Sequence, residues 1–262
     1  HDGRLKLDEF KVKNDHIYNT KDRLWNGEKI NKNDKVLVIK EQGAGDEILH
    51  ASMYSDLLKA FPKTKIETDP RLISLFKRSF NNSNSFVPYN TFSKSNKSLK
   101  NFDVVMYAGS LGRLFRNRAE DFPKKHFLFS DKNKDNIIKE KMSKLGDKKK
   151  IGISWHSKNE NYGSAKSLDL KMFMPILVLP QYTFINLQYG NTEKELESFY
   201  KTSNINIINF DEVDLFNDFE GISSLLKNLD LLISVSNTTV HIAGALGVPT
   251  WLIKPKNHAV FH

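Results

Sequence analysis

The chain contains no cysteine. That excludes a disulfide framework, a thiolate zinc site and a cysteine nucleophile. No apolar run approaches the roughly 20 residues that cross a bilayer, and the opening HDGRLKLDEF lacks the apolar core of a secretory signal. A cytoplasmic protein without a membrane span is the resulting expectation. Catalytic and metal signatures are equally scarce: there is no HExxH, no GxSxG elbow and no P-loop, and the 8 His form no pair at ligand spacing. Neither a metal nor a resident cofactor is expected. Arginine is short as well, 7 against 33 Lys, with none beyond Arg118. A nucleic-acid reader usually offers Arg for bidentate contacts, interleaved with aromatics. Lys in company with 25 Asn looks instead like compositional bias, so nucleic acid is not the expected partner. A first residue other than Met points to a fragment or a processed form.

What the chain does have is core material. It holds 262 residues, 39% of them hydrophobic, with 18 Phe, 8 Tyr and 3 Trp, which rules out disorder over the whole length and suffices for one large core or two small ones. The formal charge of +9 is unevenly spread: residues 1–150 carry 32 basic and 20 acidic side chains, residues 151–262 carry 8 and 11. Two domains are the simplest account. The hydrophobic pattern repeats the same grammar twice. Strand-like KVLVIKE (35–41), TKIETD (64–69), SFVPY and DVVMYAGS alternate with helix-like 46–61 and 70–80, and a polar stretch, 90–101, reads as an exposed loop. After a charged helical stretch at 131–150, IGISWHS, YTFINLQY, INIINFD, LLISVS and PTWLIK alternate with helical 170–179, 192–201, 219–229 and 237–247. Alternation of this kind predicts an α/β fold with parallel sheets covered on both faces. The expected division is a Rossmann-like domain over 1–130, a linker helix over 131–150 and a second Rossmann-like domain over 151–262.

In such sheets ligands sit at the carboxyl ends of the strands, so the strand-to-helix turns carry the candidates. Glu41-Gln42-Gly43-Ala44-Gly45-Asp46 leaves the first strand; Gly43 and Gly45 permit a tight turn and a close backbone approach to a ligand. Asp46 is either a plain helix cap or a general base for an acceptor hydroxyl, with Glu41 and Glu47 as rivals. Trp155-His156-Ser157 and Lys166-Ser167 follow the first strand of the second half, where Lys166 could neutralise a phosphate or simply be a surface lysine. Ser236, Asn237, Thr238, Thr239 and His241 gather at a helix start suited to an anion, though capping residues are ordinary there. Gln188 and Tyr189 end a strand where an amide and a ring could meet a base. Asp211, Asp214 and Asp218 read as ribose or metal carboxylates or as loop turns and a helix cap, the metal reading being poor with no paired His.

Taken in order, LWNGEKI, VLVIKEQGAGDEILHA, DPRLISLFKRSF, IGISW, KSLDL, INLQYG and ISVSNTTVHIAGALGVPTW span about residues 23–256. Together they resemble the glycosyltransferase-like region that follows tetratricopeptide repeats in many bacterial proteins, and more distantly the heptosyltransferases and the O-linked N-acetylglucosamine transferases. The resemblance implies a GT-B architecture, two Rossmann-like domains facing a cleft. It also implies transfer of a sugar from a nucleotide-sugar, UDP- or ADP-linked, to a protein or glycan hydroxyl without a metal. By that resemblance Asp46 is the catalytic carboxylate, Lys166 the phosphate-binding lysine, and Ser236 to Thr239 with His241 the diphosphate-binding helix start, while Gln188 lies near the nucleotide. Asn237 stands where heptosyltransferases usually carry Asp. The resemblance further implies repeats upstream and a donor domain cut short at His262. The alternative reading is a degenerate module that binds a nucleotide-sugar or glycan without turnover.

Overall fold

A computed structural model describes residues 24–92, 99–122, 124–157 and 163–256. It divides into two compact units, His1–Phe127 and Leu128–His262, each built on its own parallel sheet. Among the described residues no helix is long and apolar enough to cross a membrane.

The first unit orders its strands β3-β2-β1-β4. These are β1 (Val36–Ile39), β2 (Lys65–Thr68), β3 (Phe86–Pro88) and β4 (Val104–Tyr107), and every pairing is parallel. Helices α1 (Ala44–Ala51) and α2 (Tyr54–Ala60) connect β1 to β2, α3 (Ile73–Ser79) connects β2 to β3, and α4 (Leu111–Phe115) follows β4. β1 is central, and all four of its side chains are fully buried, as the unbroken apolar run VLVI requires of a strand covered on both faces. Leu37 and Ile39 pack with Phe102, Val105 and Tyr107. Elsewhere in the unit Tyr54, Phe76, Phe80 and Phe86 form an aromatic nest with ring centroids 5.6–6.0 Å apart. The single helix expected over 46–61 is two, because Ser52 and Met53 close the first with short bonds to Leu49 O and His50 O. Pro70 opens a turn of 3₁₀ helix before α3, capped by Asp69. The expected loop at 90–101 falls partly, at 93–98, outside the described residues.

The second unit orders its strands β7-β6-β5-β8-β9, again all parallel. They are β5 (Lys149–Ser154), β6 (Tyr182–Asn186), β7 (Ile207–Ile208), β8 (Leu231–Val235) and β9 (Thr250–Ile253). Helices α5 (Lys132–Ser143), α6 (Gly163–Lys166), α7 (Met174–Leu177), α8 (Glu193–Ser203), α9 (Phe219–Lys227) and α10 (Thr238–Leu246) surround them. The stretch 131–150 forms α5, capped by Asp131, and then enters β5. Its Ile138 and Met142 are buried, and α5 packs on α9 within this unit. Trp155, Phe173, Phe184, Phe199 and Ile207 fill the core with Ile151 and Ile153.

Gly152 lies in the middle of β5, and a Cβ there would stand 2.5 Å from Leu229 Cδ1 and 2.7 Å from Leu187 Cδ1. Both leucines are in the packed interior. Gly152→Ala is therefore expected to cost about 1–3 kcal/mol through overpacking, read as a lower urea midpoint at unchanged slope.

Candidate functional site

The first unit presents its chemistry at the carboxyl end of β1. Gln42 takes a left-handed φ of 61° and Gly43 an extended backbone before α1 begins. Asp46, half-buried, turns back so that its Oδ2 accepts from Gly43 N–H at 3.3 Å. The bond is long for a charge-assisted one, and among the described residues Asp46 forms no ion pair. Its two rivals have other duties. Glu41 is buried and accepts from Gly109 N–H. Glu47 is 1% exposed, accepts from Asp69 N–H at 3.1 and 3.2 Å, and has Lys40 Nζ at 3.9 Å. Burial pushes its carboxyl up to about 8 against the pull of Lys40. A third carboxylate that the sequence pattern did not single out, Glu67, is fully buried and accepts from Asn90 N–H (3.3 Å) and Phe92 N–H (2.9 Å). Its only sequence signal was a charge inside an otherwise strand-like run. Asp69 is partly buried, which alone would raise its carboxyl, yet the paired Arg71 guanidinium at 2.8–2.9 Å holds it below its ordinary value.

A cavity of about 710 Å³ lies along α1, lined by His50, Met53, Gly112, Arg113, Arg116 and Phe122 among others. From α1 the lining takes Leu49 and His50 of the last turn, three and four residues beyond Asp46, which does not itself line the cavity. Arg116 is fixed by Asp56 (2.8 Å) and Ser52 O (2.7 Å).

The second unit gathers its candidates around the ends of β5, β6 and β8. Gln188 is 1% exposed. Its Oε1 accepts from Ser154 Oγ (3.0 Å), Trp155 N–H (2.8 Å) and His156 N–H (2.6 Å), and its Nε2 donates to Tyr189 O. The amide thus shapes the β5 turn from beneath. Asn237 caps α10 by accepting from Thr239 N–H at 3.0 Å, while its Nδ2 donates to Ser154 Oγ (2.8 Å) and His156 O (3.3 Å). An aspartate there would lose both donors, so this departure from the heptosyltransferase pattern has a local reason. Trp155 is fully buried and donates its indole N–H to Glu195 Oε1 at 3.0 Å. The same oxygen stands 3.5 Å from His156 Nε2. Ser167 Oγ accepts from Ser157 N–H and donates to Gly163 O, closing the stretch whose residues 158–162 lie outside those described.

Lys166 ends α6, half-buried, without an ion pair among the described residues. Ser236 and Thr239 are buried, whereas Thr238 and His241 are half-exposed on the first turns of α10. Tyr189 stands 6.2 Å from Phe216, which is 49% exposed and was not anticipated. Asp214 holds that loop by accepting from Phe216 N–H and Asn217 N–H; its hydrogen bonds, the Asn217 side chain foremost, lower its carboxyl. Asp218 caps α9 through Gly221 N–H. Asp214 and Asp218 therefore serve as turn and cap. A second cavity, about 580 Å³, is lined by His156, Ser164, Ser167, Asp169, Glu195 and Thr202 among others.

The fold finds parallels among solved structures. The glycosyl transferase family 9 protein from Veillonella parvula superposes with a TM-score of 0.64 at 12% identity, over 89% of this chain and 84% of that one. ADP-heptose LPS heptosyltransferase II of E. coli gives a TM-score of 0.55 at 15% identity, over 83% and 84%. The fold is GT-B-like. No protein-family model matches the chain. Protein FlbA of Caulobacter vibrioides is 28% identical over 242 residues, which cover 87% of this chain and 40% of FlbA. The chain thus spans about two fifths of the length of that relative.

Two outcomes follow from the hydrogen bonds. Asn237→Ala removes a cap and two buried donors and should cost about 2 kcal/mol; Asn237→Ser, which keeps the cap alone, should recover part of it in chemical denaturation. Glu47 binds its proton more tightly folded than unfolded, so its contribution is complete below pH 4.5 and falls as pH rises through about 8. Glu47→Gln should accordingly gain stability over wild type between pH 5 and 8, reaching on the order of 5 kcal/mol at the upper end, measured by thermal unfolding across that range.

Proposed function

We propose that the chain is a glycosyltransferase that moves a sugar from a nucleotide-sugar donor to a hydroxyl of a protein or glycan acceptor without a metal. The observation that carries the reading is the position of Asp46. It is the half-exposed carboxylate of the β1 turn, held by one long backbone bond, while both neighbouring glutamates are consumed by buried N–H groups. In this reading Asp46 orients the acceptor hydroxyl and takes its proton, and the cavity along α1 receives the acceptor. The second unit binds the donor. Lys166 and the N-terminus of α10 stabilise the diphosphate as it leaves, the electrostatic contribution that usually dominates such transfers. They fill the role a divalent cation would otherwise take. Tyr189, with Phe216 beside it, offers a stacking surface for the base. The likeness to a protein named for ADP-heptose makes ADP the first donor nucleotide to test, and UDP the second. Tetratricopeptide repeats in a longer polypeptide would present the acceptor.

The test is thermal shift of the purified chain against ADP, UDP and their sugars, followed by donor turnover. Saturation at about 100 times Kd should stabilise the fold by about 2.7 kcal/mol. Lys166→Ala is expected to weaken nucleotide diphosphate binding about tenfold, the loss of roughly 1.4 kcal/mol. Asp46→Ala should abolish turnover and leave that binding unchanged. Intact turnover in both variants overturns the mechanism, and nucleotide binding without turnover by wild type favours a degenerate binding module.

A further inference from the structure

Glu47 is a fully buried carboxyl next in sequence to Asp46 and has no part in the mechanism above. Around it, the turn after β1 contributes Lys40 and Glu41, α2 contributes Tyr54, and the segment after β2 contributes Asp69 and Arg71. Lys40 Nζ lies 3.9 Å from Glu47 Oε2 and at the same time donates to Gln42 O at 2.7 Å. Gln42 is the residue in left-handed conformation, and the next N–H in the chain, that of Gly43, is the one Asp46 accepts from. The Asp69 carboxylate is taken by Arg71, and the Tyr54 hydroxyl, buried in the field of Glu47 and Glu41, is held protonated first by burial. Lys40 and Arg71 both act on the charge of Glu47; Lys40, whose Nζ also stands 5.5 Å over the Tyr89 ring, is the one that bonds the turn carrying Asp46.

We propose that Glu47 is a positioning residue for Asp46, its charge relayed through the Lys40 ammonium to the Gln42 carbonyl and so to the Gly43 N–H. When Glu47 is neutral, Lys40 stays on Gln42 O and the turn closes on the Asp46 carboxylate. When it ionises, Lys40 is drawn toward Glu47, Gln42 O is released, and Asp46 gains freedom to meet an acceptor. Burial brings that ionisation to about pH 8, within the range where transfer would run. The functional consequence rests on Asp46 being the acceptor base; the coupling itself does not.

The experiment reads the Asp46 side-chain carboxyl carbon by NMR from pH 3 to 10 on the whole chain with no donor or acceptor, its resonance assigned by loss in Asp46→Asn. Wild type should show the main carboxylate titration and a second inflection near pH 8. Glu47→Gln should keep the first and lose the second. Lys40→Met, which leaves Glu47 in place, should still show Glu47 ionising on its own resonance, with Asp46 no longer following. A packing role for Glu47 would produce no second inflection. A single inflection in wild type, or a second one that persists in either variant, overturns the relay. Because no substrate is present, those outcomes are independent of whether Asp46→Ala abolishes turnover.

Discussion

The loops leaving the carboxyl ends of both sheets bury backbone N–H groups, and buried donors must be satisfied. This chain satisfies them with side-chain oxygens. In the first unit Glu41, Glu47 and Glu67 each reach across to a different loop, at Gly109, Asp69, and Asn90 with Phe92. In the second unit the Gln188 amide oxygen does the same for Trp155 and His156 N–H, and the Asn237 amide oxygen for Thr239 N–H. The two solutions differ in kind. Amides cost little to bury once bonded, whereas carboxylates carry a desolvation penalty that keeps one of them, Glu47, protonated to unusually high pH.

That difference bears on what each unit can do. The second unit's turn is held from beneath by neutral amides, with Glu195 beside it taking the Trp155 indole N–H and standing 3.5 Å from His156 Nε2. The first unit's turn is held by groups that titrate and by a lysine shared between two acceptors.

Much of the fold was legible in the residues. The short apolar run VLVI gave a buried parallel strand because no polar side chain interrupted it, and LLISV did so with only the small Ser234 inside it. Pro70 and Gly247 marked helix ends through fixed and left-handed backbone angles. The site was legible only by position. Glu41, Asp46 and Glu47 are three carboxylates within seven residues, and only the packing of the β1 turn and α1 against the loops after β4 and β2 buries two and leaves one half-exposed. Phe216 gave no signal, since its exposure depends on a turn that Asp214 folds through its own side chain. Gln188 read as a ligand-facing amide because a strand-end glutamine looks the same whether its oxygen faces the solvent or three internal donors.

The sequence by itself determined the alternation of strands and helices, the parallel sheets, and the turns at which chemistry would gather. Periodicity and turn residues are local, and local interactions suffice to set them. Tertiary structure alone decided which carboxylate is accessible, which amides are consumed, and that Lys40 serves two masters. Those outcomes depend on groups far apart in the chain, such as Glu47 with Asp69 and Gln188 with Ser154, meeting at distances of about 3 Å. No window of sequence contains both partners.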